Sequence, residues 1–237
     1  MEPAEYELMD VAENRMWWYR ALHTRIIDAL GGVAGRVLDA GCGTGGLLVA
    51  LAVRRPLLRP VGLEFSPAAY RAAEKSGAPM VRGSVNALPF ADASFDAAIA
   101  ADVLCHAAVD PAVALSELRR VLRAGGRLVV NMPAYAWLMS AHDRRVHNAR
   151  RQSAAELRAA LVAAGFVRIE MGYWNGLLLP LMVAERKLFA RGADAASDVA
   201  VFSPWLDSIL HGITALERRL PFRLPAGGSV LAIAEAP

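Results

Sequence analysis

The chain has 237 residues, long enough for one large α/β domain with a substantial core and short for two. Charged residues make up 21% and the formal net charge is +3, a balance that argues against a nucleic-acid-binding surface. Mean hydropathy is +0.31, raised mostly by alanine, and the longest apolar run, 176–184, is broken by Pro180 and falls short of the ~20 residues a membrane-spanning helix needs.

Taken in chain order, residues 1–35 read as a helical cap rich in aromatics. Apolar strands then alternate with amphipathic helices: strands near 36–39, 60–64, 79–82, 95–100 and 126–132, and helices near 46–54, 67–76 and 111–122, with a short turn after 102. That alternation is the pattern of a parallel sheet wound on both faces. Ser66-Pro67 and Asp110-Pro111 each pair an N-cap side chain with proline at the first helical position. Ser153 and Glu156 form a capping box that opens a helix closed by Gly165. Two more strands are expected near 166–174 and 229–235. Between them, 175–228 breaks the alternation: a Leu-rich stretch runs into Glu185-Arg186-Lys187 and then a run of small and polar residues at 191–198. No internal repeat is found, so 1–237 reads as a single domain with the cap 1–35 and an insertion at 175–228 on the substrate side. The acidic N-terminus without an apolar signal core, and only two cysteines, Cys42 and Cys105, fit a reducing cytoplasm. No Cys-x-x-Cys or His-Glu-x-x-His occurs, so no metal is expected.

The most informative stretch is 37–45, an apolar strand that ends in Asp39-x-Gly41-x-Gly43-x-Gly45 just before a helix. Glycines there let the backbone approach a nucleotide-like ligand closely, and the helix start offers free N–H groups and a positive dipole end. Gly41-x-Gly43-x-x-Gly46, with Glu64 roughly 20 residues on, also satisfies the dinucleotide fingerprint, so a NAD enzyme stays open at this point. Glu64 ends the second strand and is suited to accept two ribose hydroxyls; Phe65 can lie against an adenine face.

Asp39 ahead of the glycines, Gly83-Ser84-Val85-Asn86-Ala87-Leu88-Pro89-Phe90, the strand Phe95–Leu104 and the segment Leu118–Val130 follow in fixed order. Together they resemble the class I S-adenosylmethionine (SAM) dependent methyltransferases, particularly the small-molecule branch related to ubiquinone and menaquinone methyltransferases, over roughly residues 15–170. The resemblance implies a Rossmann-like seven-stranded sheet, mostly parallel with an antiparallel last strand and helices on both faces. It places the methionine end of SAM against Asp39, Gly41 and Gly43, the ribose at Glu64, adenine among Phe65, Ser84 and Val85, and Ala101 at the cofactor's border. The family usually carries an acid where this chain has Ser84, so the Val85 N–H and, in part, Asn86 would take over contacts to adenine; Leu88-Pro89-Phe90 reads as a packing turn.

His106, after the fourth strand, is the main catalytic candidate, as a neutral imidazole able to accept a proton, or else a residue that shapes the pocket. His142 is the second, in a segment 137–151 that resembles a subgroup's loop but departs from it at Asn148 and Gln152; there Asp143 and the Arg150-Arg151 pair are either substrate contacts or hinge salt bridges. Trp17-Trp18-Tyr19-Arg20 resembles a helix that closes over the cofactor, with Trp18 shielding the sulfonium and Arg20 pairing with the methionine carboxylate, or both residues serving the core. The reading that follows is methyl transfer from SAM to a small, largely apolar metabolite, with no nucleic-acid partner and no membrane span. A SAM-binding protein with a non-methylating reaction such as cyclisation is the alternative; an NAD(P) oxidoreductase is less favoured, since no Tyr-x-x-x-Lys occurs and lysines are few.

Overall fold

Consecutive apolar residues such as Val37-Leu38 and Ala97-Ala98-Ile99 are fully buried because helices cover both faces of the sheet they build. The computed structural model describes residues 3–13, 15–186 and 202–237. Among these residues the sheet has seven strands: β1 (Gly35–Ala40), β2 (Leu58–Glu64), β3 (Met80–Arg82), β4 (Phe95–Ala101), β5 (Leu122–Pro133), β6 (Val167–Trp174) and β7 (Ser229–Glu235). Their spatial order is β3-β2-β1-β4-β5-β7-β6. The first five run parallel to one another, while β7 lies antiparallel between β5 and β6. This is the Rossmann-like arrangement that the sequence implies, antiparallel last strand included.

The pleat sorts alternate residues to two cores. Leu38, Ala98 and Leu128 join Leu115 and Leu118 of α5 (Pro111–Val121) and Leu157 and Leu161 of α7 (Ala154–Ala163). Val37, Ile99 and Val129 join Ile26 and Leu30 at the end of α2 (Trp17–Ala29) and Leu47 and Leu51 of α3 (Gly46–Arg54). The predicted caps are present. Asp110 Oδ1 accepts from the Ala112 and Val113 N–H groups at 2.9 and 3.2 Å, and Ser66 caps α4 (Pro67–Ala73). At the start of α7, the Ser153 N–H donates to Glu156 Oε2 at 2.7 Å and the Glu156 N–H donates back to Ser153 Oγ at 3.3 Å.

The largest boundary difference lies at the start of β5. Leu122, expected to end a helix, begins β5 instead, because it pairs with Phe95 before the ladder shifts register toward Ala97–Arg127. Within the regions outside the alternation, the described residues form helices that pack on one another. α1 (Pro3–Ala12) precedes α2; a short α6 (Ala141–Arg145) follows β5; the Leu-rich stretch forms α8 (Leu179–Ala184); and α9 (Pro204–Arg218) packs along α2, where Trp17, Leu178 and Leu210 bury one another. The run 191–198 lies outside the described residues. Among the described residues no helix is long and apolar enough to cross a membrane.

Glu217 clasps these pieces together. Its carboxylate accepts from Arg25 Nη2 at 3.2 Å and from the backbone N–H groups of Asn175, Gly176 and Leu177 at 2.7, 2.7 and 3.1 Å. Arg25 also stacks its guanidinium 4.8 Å over the Trp174 ring. Removing one partner of such a buried pair strands the other charge, so Glu217→Ala is expected to lower stability by about 3 to 5 kcal/mol in urea denaturation. Glu170→Ala, which breaks an exposed pair with Arg223, is expected to cost about 1 kcal/mol or less.

Candidate functional site

The chain leaves β1 toward β2 and β3 on one side and returns to β4 on the other, so a crevice opens at the carboxyl ends of β1 and β4. A cavity of about 850 Å³ lies there, walled by the loops after β1, β2, β3 and β4 and roofed by α1, α2, α8 and α9. Gly41 and Gly43 shape its floor with φ of +87° and +56°. A Cβ on Gly41 would stand 2.5 Å from Val103, so the loop keeps its close approach only with glycine.

Asp39, at the end of β1, is 2% exposed, and its Oδ2 has no hydrogen-bond partner among the described residues. Burial, with the Glu13 and Glu64 carboxylates close by, pushes its pKa up to about 8. Glu64 ends β2 and is tied into the loop: the Gly43 N–H donates to Oε2 at 3.0 Å and the Ser66 N–H to Oε1 at 2.8 Å. Its pKa is raised by burial despite those bonds.

Glu13 completes the group, and sequence reading missed it. It follows α1, accepts a short hydrogen bond from the Thr44 hydroxyl and one from the Gly46 N–H at the start of α3, and is held up at about 7 by burial. His23 Nε2 lies 3.9 Å from Glu13, but burial lowers that imidazole to about 4, so it stays neutral and leaves the carboxyl uncompensated. Three carboxyl groups thus face one cavity at the positive end of α3. They call for a cation.

The remaining candidates divide. Phe65, 69% exposed, and Ser84, Val85 and Ala101 all line the cavity. The Ser84 hydroxyl accepts from the Asn86 N–H at 3.2 Å, while the Asn86 side chain bonds Ala108 and Asp110 and so belongs to the loop rather than to a ligand. Trp18 lines the cavity and packs edge to face on Tyr19 and against Trp174. Arg20 is placed elsewhere. Its guanidinium bonds Asp207 of α9 at 2.5 Å, and it is absent from the cavity wall because α9 supplies a nearer carboxylate.

His106 and His142 both line the cavity. His106 is half-buried, its ring centroid 5.9 Å from that of His147, and burial lowers its pKa to about 4. The basic pair near 150 is bonded within the protein, although Arg151 and its partner Asp143 also line the cavity. Arg151 bonds the fully buried Asp143 at 2.9 Å, and Arg150 donates to the Leu104, His106 and Val109 carbonyls, fixing the loop that carries His106. Phe90 packs edge to face on Phe95 as the packing-turn reading expects. Both cysteines are buried with thiol pKa values pushed up, and among the described residues no cluster of His, Cys, Asp and Glu could hold a metal.

Comparison with known proteins agrees with this geometry. Residues 38–130 match the methyltransferase domain family. A Mycolicibacterium smegmatis protein named "Probable S-adenosylmethionine-dependent methyltransferase" is 31% identical over 221 residues, covering 90% of this chain and 83% of that protein. A ubiquinone/menaquinone biosynthesis C-methyltransferase of Syntrophotalea carbinolica is 36% identical over 129 residues, 52% of either chain. The chain spans about half the length of other curated relatives: 54% of a Streptomyces fradiae transposon protein and 49% of an Aspergillus sclerotiorum O-methyltransferase. Among solved structures, a Thermotoga maritima SAM-dependent methyltransferase has the same fold, with a TM-score of 0.65, 21% identity, and coverage of 99% of this chain and 95% of that one. By sequence over nearly its whole length, and by fold, the chain belongs to the SAM-dependent methyltransferase family.

Proposed function

We propose that the protein transfers the methyl group of SAM to a small, largely apolar acceptor, and that the described residues 175–186 and 202–228, with α1 and α2, form the acceptor's roof. The observation that carries this reading is the two-ended character of the cavity. Its floor holds Glu13, Asp39 and Glu64 around a glycine loop; its roof holds Trp17, Leu178, Met182, Phe202 and Leu210. The floor suits the charged end of SAM. Asp39, with an unpartnered buried oxygen, and Glu13 receive the ammonium, Glu64 takes the ribose hydroxyls, and Phe65, Ser84 and Val85 border the adenine. SAM bound there supplies an electrophilic methyl on a sulfonium. The apolar roof excludes water and aligns the acceptor, which accounts for most of what methyl transfer to a nucleophile needs. His106, neutral and weakly basic, orients an acceptor group by hydrogen bonding, with His142 on the same wall.

Titration calorimetry with SAM, S-adenosylhomocysteine and NADH tests the cofactor end: the first two are expected to bind and NADH is not. Asp39→Asn gives a sharper check. The Asp39 pKa lies near 8 in the folded protein against an ordinary 3.8, so the stability from holding its proton is fully present below pH 4 and lost as pH rises through about 8. Without ligand, Asp39→Asn is therefore expected to melt near the wild type at pH 4 and above it at pH 9. Its SAM affinity is expected to fall by about 1.5 to 3 kcal/mol, the worth of a charge-assisted hydrogen bond. A variant equally stable at both values would contradict the assignment.

The roof is tested at Met182, whose methyl group packs near Gly228 on the cavity wall. Met182→Gln is expected to raise the acceptor KM several-fold with SAM affinity and Tm nearly unchanged. A loss of several degrees in Tm with unaltered kinetics would make α8 packing alone.

A further inference from the structure

β4 ends at Ala101, and the next residue turns with a φ of +54°, a left-handed conformation uncommon for a residue with a Cβ. That residue is Asp102, on the cavity wall. Strain of this kind persists where the surroundings over-determine it, and here they do. The Asp102 N–H donates to the Asn131 carbonyl at 3.0 Å, and Asn131 Nδ2 donates to Asp102 Oδ1 at 2.9 Å. The orientation of the Asn131 amide is fixed from behind. Trp174 Nε1, a donor only, bonds Asn131 Oδ1 at 2.8 Å, so the amide must turn its NH₂ toward Asp102. Asn131 is fully buried and Trp174 is 3% exposed, so this relay is rigid.

We propose that Asp102 is a catalytic base of the methyl transfer, receiving the proton of an acceptor hydroxyl, with Asn131 as its positioning residue. This rests on the reading of the cavity given above and narrows its acceptor to alcohols, enols or phenols that are neutral in solution. In the step, the acceptor O–H proton passes to the Asp102 carboxylate while the oxygen forms its bond to the methyl carbon and the carbon–sulfur bond of the donor breaks. The products are the methyl ether and S-adenosylhomocysteine, and the proton then goes to solvent. Burial raises the Asp102 carboxyl to about 7, with Asn131 and Arg151 pulling it down and Asp143 pushing it up, while the Cys105 thiol donates to its backbone carbonyl. A carboxylate near 7 is matched to neutral solution, whereas His106 near 4 is a far weaker base there.

The experiment compares two probe acceptors of the same shape, 2-naphthol and 2-naphthalenethiol, in wild type and Asp102→Asn, with SAM affinity measured by calorimetry in both. The thiol is largely ionised at pH 8 and needs no base. Wild type is expected to methylate both. Asp102→Asn is expected to bind SAM as the wild type does, to lose roughly 10²- to 10⁴-fold in turnover of 2-naphthol and to retain turnover of the thiol. In the ligand-free protein its Tm is expected to match wild type near pH 4, to rise relative to it as pH goes from about 4 to about 7, and to level off above, because over that range the unfolded wild type ionises a carboxyl that burial keeps protonated in the folded protein. The proposal is overturned if wild type leaves 2-naphthol unmethylated, if the variant methylates it within threefold of wild type, if both probes are lost equally, or if the Tm difference does not change with pH. If wild type fails to bind SAM at all, the reading of the cavity falls along with it.

Discussion

Three carboxyl groups, from Glu13, Asp39 and Glu64, meet where the strands of the parallel sheet end, and the fold holds them together against their own repulsion. None is paired with a charged cation among the described residues; His23, the nearest base, is kept neutral by burial. What offsets the repulsion is protonation, the Gly43, Gly46 and Ser66 N–H groups, and the positive end of α3. A site of this kind is poised for a ligand that brings positive charge. The ligand-free protein gives up stability for it, as functional sites commonly do.

The rest of the architecture serves that cluster. β1 and β2 deliver Asp39 and Glu64 to the same edge because they are parallel neighbours paired through Asp39–Gly62 and Ala40–Leu63. The cap delivers Glu13 from the opposite side, and its position depends on α2, which is held by α9 through the Arg20–Asp207 and Arg25–Glu217 pairs. Glu217 also fixes the turn that starts the Leu-rich stretch, so the roof and the cap are secured by one buried carboxylate. Trp174 links both ends: one face of its ring meets Arg25, and its indole N–H orients Asn131.

Local signals in the sequence were enough for the sheet and its caps. Strand 229–235, the capping box at Ser153 and the proline-started helices after Ser66 and Asp110 are each specified by residues within a few positions of one another. The glycine loop and Glu64 were legible for the same reason. Glu13 was not, because nothing near it in sequence marks it; it becomes a site residue only through Thr44 and Gly46, some thirty positions on. The sequence leaves Arg20 open between a ligand contact and a core role, because the partner that decides it, Asp207, lies 187 residues away. The contacts of Asp102 with Asn131, and of Asn131 with Trp174, come from strands distant in the chain, so no local pattern in the sequence marks Asp102.

The claim that the carboxyl cluster receives the cationic end of SAM is tested most directly by counting protons. At pH 6.5, Asp39 and Glu13 hold protons in the free protein, since their pKa values lie near 8 and 7. Binding a cation must drive them toward ionisation. Calorimetry of SAM binding in buffers of different ionisation enthalpy is therefore expected to show release of roughly one proton per SAM bound, and a release much reduced in Asp39→Asn. Binding without proton exchange, or with proton uptake, would contradict the account.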